Sequence, residues 1–414
     1  MNKGKNLRKI IFIFFSITLF ISFHYDENSS GGSEYDYSII SEFILLFSKD
    51  ITEGLLIYSP INNPHLPFFY IFLGKLFIFF DLNLLRLLYL SISLTLPIII
   101  YKILKLKFKN YNKNILFSIS VLIFLSPYFR SSAVWLTNDN LTLIFFCFSI
   151  YYFYKSDKLK SNNFTDILKC FLFLFLSVYL RQNFILFIIY YYYYLFTNNN
   201  NFRKFLTISL INLIFAIPIL YYLFHYEHIY YYLKLNQSMK LDYSFNFLIF
   251  LNILLFYMIP FIISKSVAKI LLFNLKNNLK IIFFLVFFVL FINYNVTDYL
   301  TADHGYGGGV FYKLFFKIIN IPELFILFSI ISLVLLFCLI KVDYPNYILI
   351  LILFFLYSLP IIYQKYYDPL FLIMFFSLLT LNKNINIKLF NYKYLTIPFI
   401  YFFCFYLFTL SHYQ

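Results

Sequence analysis

The chain has 414 residues, of which 62% are hydrophobic, 25% aromatic and only 12% charged. Soluble domains carry about 45–50% apolar and about 25% charged residues, so a soluble globular enzyme is excluded. The net charge of +15 sits in short loops between apolar runs, which is the orientation signal of membrane proteins and excludes nucleic acid as a partner.

A bilayer crossing takes about 20 apolar residues, and such runs fill most of the sequence. The fold class predicted is all-α: one polytopic integral membrane domain over 1–414, with no internal repeat. Sixty Phe and 41 Tyr stand against one Trp and nine Gly. That is the bias of an AT-rich genome, so a lone Tyr or Asn carries little weight. The run Tyr190 to Tyr194 reads as a helix end or interfacial belt. Cys147, Cys170, Cys338 and Cys404 all lie in apolar runs, with no CxxC spacing, and read as small buried hydrophobes.

Met1 to Lys9 is basic and leads into the apolar stretch Ile10 to Phe23. Without a small-x-small cleavage site before His24-Tyr25-Asp26-Glu27, this reads as a retained first helix. Lys3, Lys5, Arg8 and Lys9 place its start inside, so residues 24–65 form the first outer loop. Seven of the 18 acidic residues fall between 24 and 53: Asp26, Glu27, Glu34, Asp36, Glu42, Asp50 and Glu53. After a flexible Gly31-Gly32 turn, Ile39, Ile40, Phe43, Ile44 and Phe47 recur at helical spacing among Ser41, Glu42 and Lys49. This predicts an amphipathic helix lying on the membrane surface. A Pro-rich lead-in, Tyr58-Ser-Pro-Ile-Asn-Asn-Pro-His-Leu-Pro-Phe-Phe-Tyr70, follows.

Residues 66–104 look like two helices around Asp81-Leu82-Asn83, yet the loop charges demand an odd number of crossings there. A full helix plus a half-crossing reconciles the two. Beyond them, basic loops at 105–114, 155–165, 198–204, 265–280 and 382–393, with a weaker one at 341–345, are predicted inside. Segments 128–139, 181–183, 224–245, 294–316 and 364–369 are predicted outside. The total expected is about 13 crossings, with the C-terminus outside.

An acidic outer loop after the first helix, a surface helix and a "P…PxxY" lead-in resemble the GT-C superfamily of membrane glycosyltransferases. That superfamily includes the protein O-mannosyltransferases and the lipid A aminoarabinose transferases. Ser126-Pro127 followed by Trp135-Leu-Thr-Asn-Asp139 resembles the family's helix–loop–acid segment. Tyr179-Leu-Arg181-Gln182-Asn183 is similar to the Arg-Gln-Thr-Asn motif of the dolichyl-phosphate-glucose glucosyltransferases, lacking its Thr. Asp26-Glu27 matches the first half of that family's Asp-Glu-x-Phe-His start. The resemblance implies transfer of one sugar, with inversion, from a polyprenyl-phosphate-linked donor to a glycan, lipid or protein acceptor on the outer face. It implies a first-loop acid as base or orienter for the acceptor.

The outer face collects residues of the required kinds. A carboxylate is needed for the acceptor proton, and cationic or amide donors for the departing phosphate. Asp36, fixed between the Gly-Gly turn and the surface helix, is the first choice as base, with Asp26 or Glu27 as alternatives. Asp139 reads as the second acid or, equally, as the N-cap of a helix starting at Leu141. Arg181 suits phosphate by its planar fork. Gln182, His304 and Lys365 join it as donor-phosphate ligands, although Lys365 can also simply snorkel.

Four of the nine glycines fall within Gly305-Tyr306-Gly307-Gly308-Gly309. Gly307, Gly308 and Gly309 are therefore expected to bring backbone N–H groups to a phosphate or sugar, or else to form a plain loop tip. No Asp-x-Asp pair occurs, so no metal and no cofactor is expected. Two rival readings stand beside this one. A transporter or flippase of lipid-linked sugars would show buried charges within its helices, and here Lys75 and Arg86 are the main ones. An O-antigen polymerase or ligase would carry its large outer loop late in the chain. Short loops and the lack of a retrieval signal favour a bacterial inner membrane over the ER membrane.

Overall fold

The computed structural model describes residues 2–58, 65–156, 158–159, 164–198, 202–226, 243–263, 265–277, 279–292, 307–357, 362–382, 385 and 390–413. Helix follows helix, with no strand among the described residues beyond an isolated antiparallel bridge between Ile340 and Leu381. The chain divides into two compact units, Met1–Ser238 with Phe402–Gln414, and Met239–Tyr401.

This is an all-α membrane protein. Six described helices have the length and apolarity to cross a bilayer: Gly4–His24, Leu82–Lys107, Arg203–His225, Tyr243–Ile262, Pro322–Leu339 and Tyr394–Tyr413. The bent pair Lys113–Leu125 and Pro127–Val134, broken by 66°, makes a seventh if it is one span. That is fewer than the crossings expected from hydropathy, because several apolar runs form shorter helices. Asp139–Lys155 and Phe164–Leu180 have 17 residues each, and Tyr344–Leu356 has 13.

In the first unit, α1 (Asn2–His24) leads through a turn to α2 (Ser33–Lys49). The amphipathic pattern of α2 is realised: Ile40, Phe43, Ile44 and Phe47 are buried on one face, packed with Phe69, Tyr70 and Leu73 of α4 (Phe68–Phe77). Glycine permits the close approach. A Cβ on Gly74 would lie 2.9 Å from the Phe47 carbonyl carbon, and one on Gly54 would lie 2.6 Å from the Phe47 ring. Gly54 belongs to α3 (Ile51–Ile57), which Asp50 caps by accepting from the Glu53 N–H at 2.8 Å.

The stretch 66–104 forms helices on either side of Asp81, as its pattern predicts. With ten residues, α4 spans only about 15 Å. Asp81 then caps α5 (Leu82–Ser93) by accepting from the Leu84 N–H, and α5 continues through α6 (Thr95–Lys107) as one 26-residue span. One short helix and one helix long and apolar enough to cross a bilayer fill the segment.

Next come α7 (Lys113–Val121), a 3-10 turn (Leu122–Leu125) and α8 (Pro127–Val134). Ser126 accepts from the Phe129 N–H at 3.0 Å and Pro127 stands at the first helical position, the residue pair that starts helices. The unit continues with α9 (Asp139–Lys155), α10 (Phe164–Leu180), α11 (Phe187–Asn198) and α12 (Phe202–His225). Lys155 at the end of α9 meets Asp166 at the start of α10 at 2.9 Å, each charge suited to its helix terminus.

The second unit holds α13 (Tyr243–Ile262), α14 (Lys265–Asn277), α15 (Leu279–Ile292), α16 (Gly309–Lys313), α17 (Pro322–Leu339), α18 (Tyr344–Leu356) and α19 (Leu370–Ser377). Buried amides and hydroxyls join its helices, as polar groups do where lipid supplies no alternative partner. Asn252 Nδ2 donates to the Phe325 carbonyl at 3.1 Å and to Ser329 Oγ at 2.5 Å, and Ser332 Oγ donates to the Leu251 carbonyl. The last helix, α20 (Tyr392–Tyr413), contributes its residues from Phe402 onward to the first unit. Three cysteines are buried as expected, whereas Cys404 is exposed on α20, a position lipid covers in a span.

Candidate functional site

The first unit gathers three arginine–acid pairs around the bend that joins α8 to α9. The bend exists because Leu136, at φ 54°, takes a left-handed turn between the two helices. Two residues of α5, one turn apart, hold it. Arg86 Nε donates to the Val134 carbonyl at 3.0 Å, and the Tyr89 hydroxyl donates to the Thr137 carbonyl while accepting from the Leu141 N–H at 3.2 Å. From the end of α1, the Glu27 carbonyl accepts from the Trp135 indole N–H at 2.8 Å.

Asp26, at the end of α1, contacts Arg86 at 2.5 Å. The Arg86 guanidinium carbon lies 4.6 Å from the Trp135 ring, 5.2 Å from Tyr37 and 5.1 Å from Phe23, an aromatic setting that holds a cation well. The carboxylate is 58% exposed and its partner only 9%. Asp26 faces an open cleft of about 540 Å³ lined also by His24, Asp81, Asn83 and Leu87. Burial raises the Tyr37 phenol pKa above its ordinary value, opposed by the Arg86 charge and reinforced by that of Asp26.

Glu27 is the opposite case. Its carboxylate meets Arg130 at 3.0 Å with both side chains enclosed, accepts from Ser29 at 2.7 Å and from the Tyr406 hydroxyl at 3.0 Å. Arg130 also donates to Ser22 and to the Thr18 carbonyl, and its guanidinium lies 4.5 Å from the Tyr406 ring. Burial pushes the Glu27 carboxyl up, but the Arg130 charge and the hydrogen bonds from Arg130, Ser22 and Ser29 outweigh it and hold the group below the usual carboxylate range. The geometry makes Glu27 a strut that ties α1, α8 and α20 together.

Asp139 and Arg181 form the third pair at 2.6 Å, with side-chain exposures of 38% and 11%. Asp139 is the first residue of α9, and the cap position falls to Asn138, so the N-cap alternative for Asp139 does not hold. Its second oxygen accepts from the Thr137 hydroxyl at 3.1 Å. Asn138 accepts from Arg181 Nε at 3.2 Å and donates to the Leu180 carbonyl at 2.9 Å. Gln182, half-buried, opens the 3-10 turn that follows.

Asp36 lies in the first turn of α2, half-buried, where the helix dipole favours a carboxylate. Its neighbour Tyr37 lies against Arg86 and Trp135. Of the residues singled out in the sequence, Asp26, Glu27, Asp139 and Arg181 therefore converge on the bend.

Gly307, Gly308, Gly309 and Lys365 belong to the second unit. Gly307, Gly308 and Gly309 take φ values of 102°, 76° and 79°, which side chains resist. The Gly308 N–H donates to the Ile362 carbonyl at 2.8 Å, and the Val310 N–H to Gln364 Oε1 at 2.9 Å. The glycine turn thus packs on the segment that carries Lys365, whose ammonium lies 5.7 Å from the Tyr363 ring. One amide that the sequence offered to a ligand, that of Gly308, is committed to the protein. His304 and residues 59–64 of the Pro-rich lead-in lie outside the described residues. Among the described residues, no three His, Cys, Asp or Glu side chains converge as metal ligands would.

Arg130, Tyr89, Tyr37 and Tyr406 escaped the sequence reading. A signal for Arg130 existed in arginine usage: the chain has 33 basic residues but only five arginines, Arg8, Arg86, Arg130, Arg181 and Arg203. Three of those five make the pairs of this site. No family model matches the sequence, and neither a curated protein nor a solved structure does.

Proposed function

We propose that the chain is a GT-C-type glycosyltransferase that moves a sugar from a polyprenyl-phosphate donor to an acceptor at the outer membrane face. The observation that carries the reading is the juxtaposition at one bend of half-exposed carboxylates, Asp26 and Asp139, with enclosed arginines, Arg86 and Arg181. Glycosyl transfer needs this division of labour: a carboxylate for the acceptor hydroxyl and a fixed cation for phosphate charge that grows in the transition state. In this reading Asp26, open to the cleft, and Asp36, a residue from Tyr37, are the two candidate bases. Arg181 binds the phosphate with Gln182 beside it, and Lys365 and His304 are further phosphate ligands. The associated topology has about 13 crossings with the bend outside, in a bacterial inner membrane.

The test is transfer of label from radiolabelled polyprenyl-phosphate sugars by purified protein, with Asp26→Asn and Asp36→Asn in parallel. Transfer by the parent and loss in one variant supports the enzyme and names its base; no turnover of any donor sinks the proposal.

One observation favours a second reading, a transporter of lipid-linked sugars. The span Lys113–Leu125 is broken by 66° from Pro127–Val134, and Arg130, just past the break, is buried with Glu27. Broken helices with enclosed charges mark transport sites. Movement of labelled lipid across proteoliposomes without sugar transfer would establish that alternative.

A further inference from the structure

We propose that Arg181 is an exchange site, at which the Asp139 carboxylate and an incoming phosphate group alternate on one guanidinium, so that phosphate binding releases Asp139. The inference rests on the reading of Arg181 as the phosphate ligand.

The guanidinium fork binds carboxylates and phosphates by the same charge-assisted hydrogen bonds. The 2.6 Å contact with Asp139 therefore occupies the position that a phosphate oxygen would take. Arg181 is enclosed, and an enclosed cation is costly without a counter-charge. Leaving it bare is unfavourable, while replacing one anion by another keeps it compensated. Asp139 can be the outgoing anion because its side chain is 38% exposed. What retains it besides Arg181 is the Thr137 hydroxyl at 3.1 Å.

The Glu27–Arg130 pair lacks this freedom, and in the Asp26–Arg86 pair the acid is exposed but the cation is walled in. Glu27 and Arg130 are enclosed on both sides, with Ser29 and Tyr406 also bound to the carboxylate. Arg86 is walled by three rings and tied to the Val134 carbonyl. The arrangement imposes an order: Asp139 becomes available to a hydroxyl only while a phosphate group holds Arg181.

The experiment measures binding of inorganic phosphate and of polyprenyl monophosphate to the full chain in nanodiscs, by calorimetry. Asp139→Asn removes the competing charge and is expected to tighten phosphate binding by roughly tenfold. Thr137→Val is expected to tighten it by less, and Arg181→Lys to weaken it. Tightening for both probes supports the exchange and names the phosphate group itself as the ligand. Tightening for the lipid alone supports it and names the lipid. Unchanged or weaker binding in both Asp139→Asn and Thr137→Val overturns it. If Asp139→Asn does not fold, Thr137→Val decides. Sugar transfer is scored separately: exchange without transfer removes the glycosyltransferase reading, whereas transfer without exchange removes only this inference.

Discussion

Asp139 and Arg181 meet 2.6 Å apart where α9 begins and α10 has just ended, while Lys155 and Asp166 meet at 2.9 Å at the opposite end of the same helix pair. Each acid stands at a helix N-terminus and each base at or just past a C-terminus, so both pairs complement the helix dipoles. The two ends differ in the cation. The end with the lysine leaves it 45% exposed, whereas the end with the arginine encloses it and adds Asn138 as a second acceptor.

That difference makes Arg181→Lys informative. Lysine keeps the charge but cannot contact Asp139 and Asn138 with one planar fork. Sugar transfer is expected to fall by about a hundredfold, in the range for removing one transition-state donor, while the helical circular dichroism stays at the parent level. Steady-state kinetics with labelled donor checks this, and parent-level turnover would remove Arg181 from the phosphate site.

Glu27→Gln is expected to destabilise the fold by about 3 kcal/mol, the scale for breaking an enclosed ion pair. The sign of its pH dependence follows from the depressed carboxyl. Its stabilisation is fully present above the unfolded value of about 4.5 and is lost as pH falls through the lower folded value. Thermal melts of the parent should therefore lose stability on acidification below about pH 4.5. The Gln variant should start lower at neutral pH and lose less over that window. Equal slopes in the two proteins would show that another group carries the acid transition.

Gly74→Val tests the α2–α4 contact. The added side chain begins 2.9 Å from the Phe47 backbone, where no flexible atom can yield. A destabilisation of roughly 1–3 kcal/mol is expected from overpacking, read as a lower melting temperature in detergent. Gly32→Ala, with open space around its Cβ position, serves as the control.

The proposed topology of about 13 crossings predicts opposite sides for the two ends of the chain. Reporters fused before Asn2 and after Tyr413 should report inside and outside, respectively. The same side for both would mean an even count and would return the 66–104 stretch to two crossings or none.

Several elements were legible because their pattern is local. The face of α2 follows from Ile40, Phe43, Ile44 and Phe47 at helical spacing, and the helices on either side of Asp81 follow from the apolar runs that flank it. Asp139 and Arg181 stood out separately as an acid and an arginine at helix ends, although nothing in the sequence said that they touch. What was hidden depends on partners far apart along the chain. Glu27 looked like a loop acid open to substrate, and its enclosure comes from Arg130, 103 residues on, and Tyr406, 379 residues on. The tyrosines were masked by composition: one phenol among 41 carries no mark until its hydroxyl is seen on a carboxylate.

The bond from Tyr406 to Glu27 sets a timetable for the molecule's birth. As the chain leaves the ribosome, Glu27 and Arg130 are both in place long before the phenol that completes their cluster has been polymerised. The first unit is thus finished late, because its closing piece, Tyr406, is made 379 residues after Glu27. A nascent chain stalled after Ser238 should hold this unit in an unlatched form, more open to proteases than in the released protein. Quality control that samples the unit early would find it unfinished even in a chain that goes on to fold correctly.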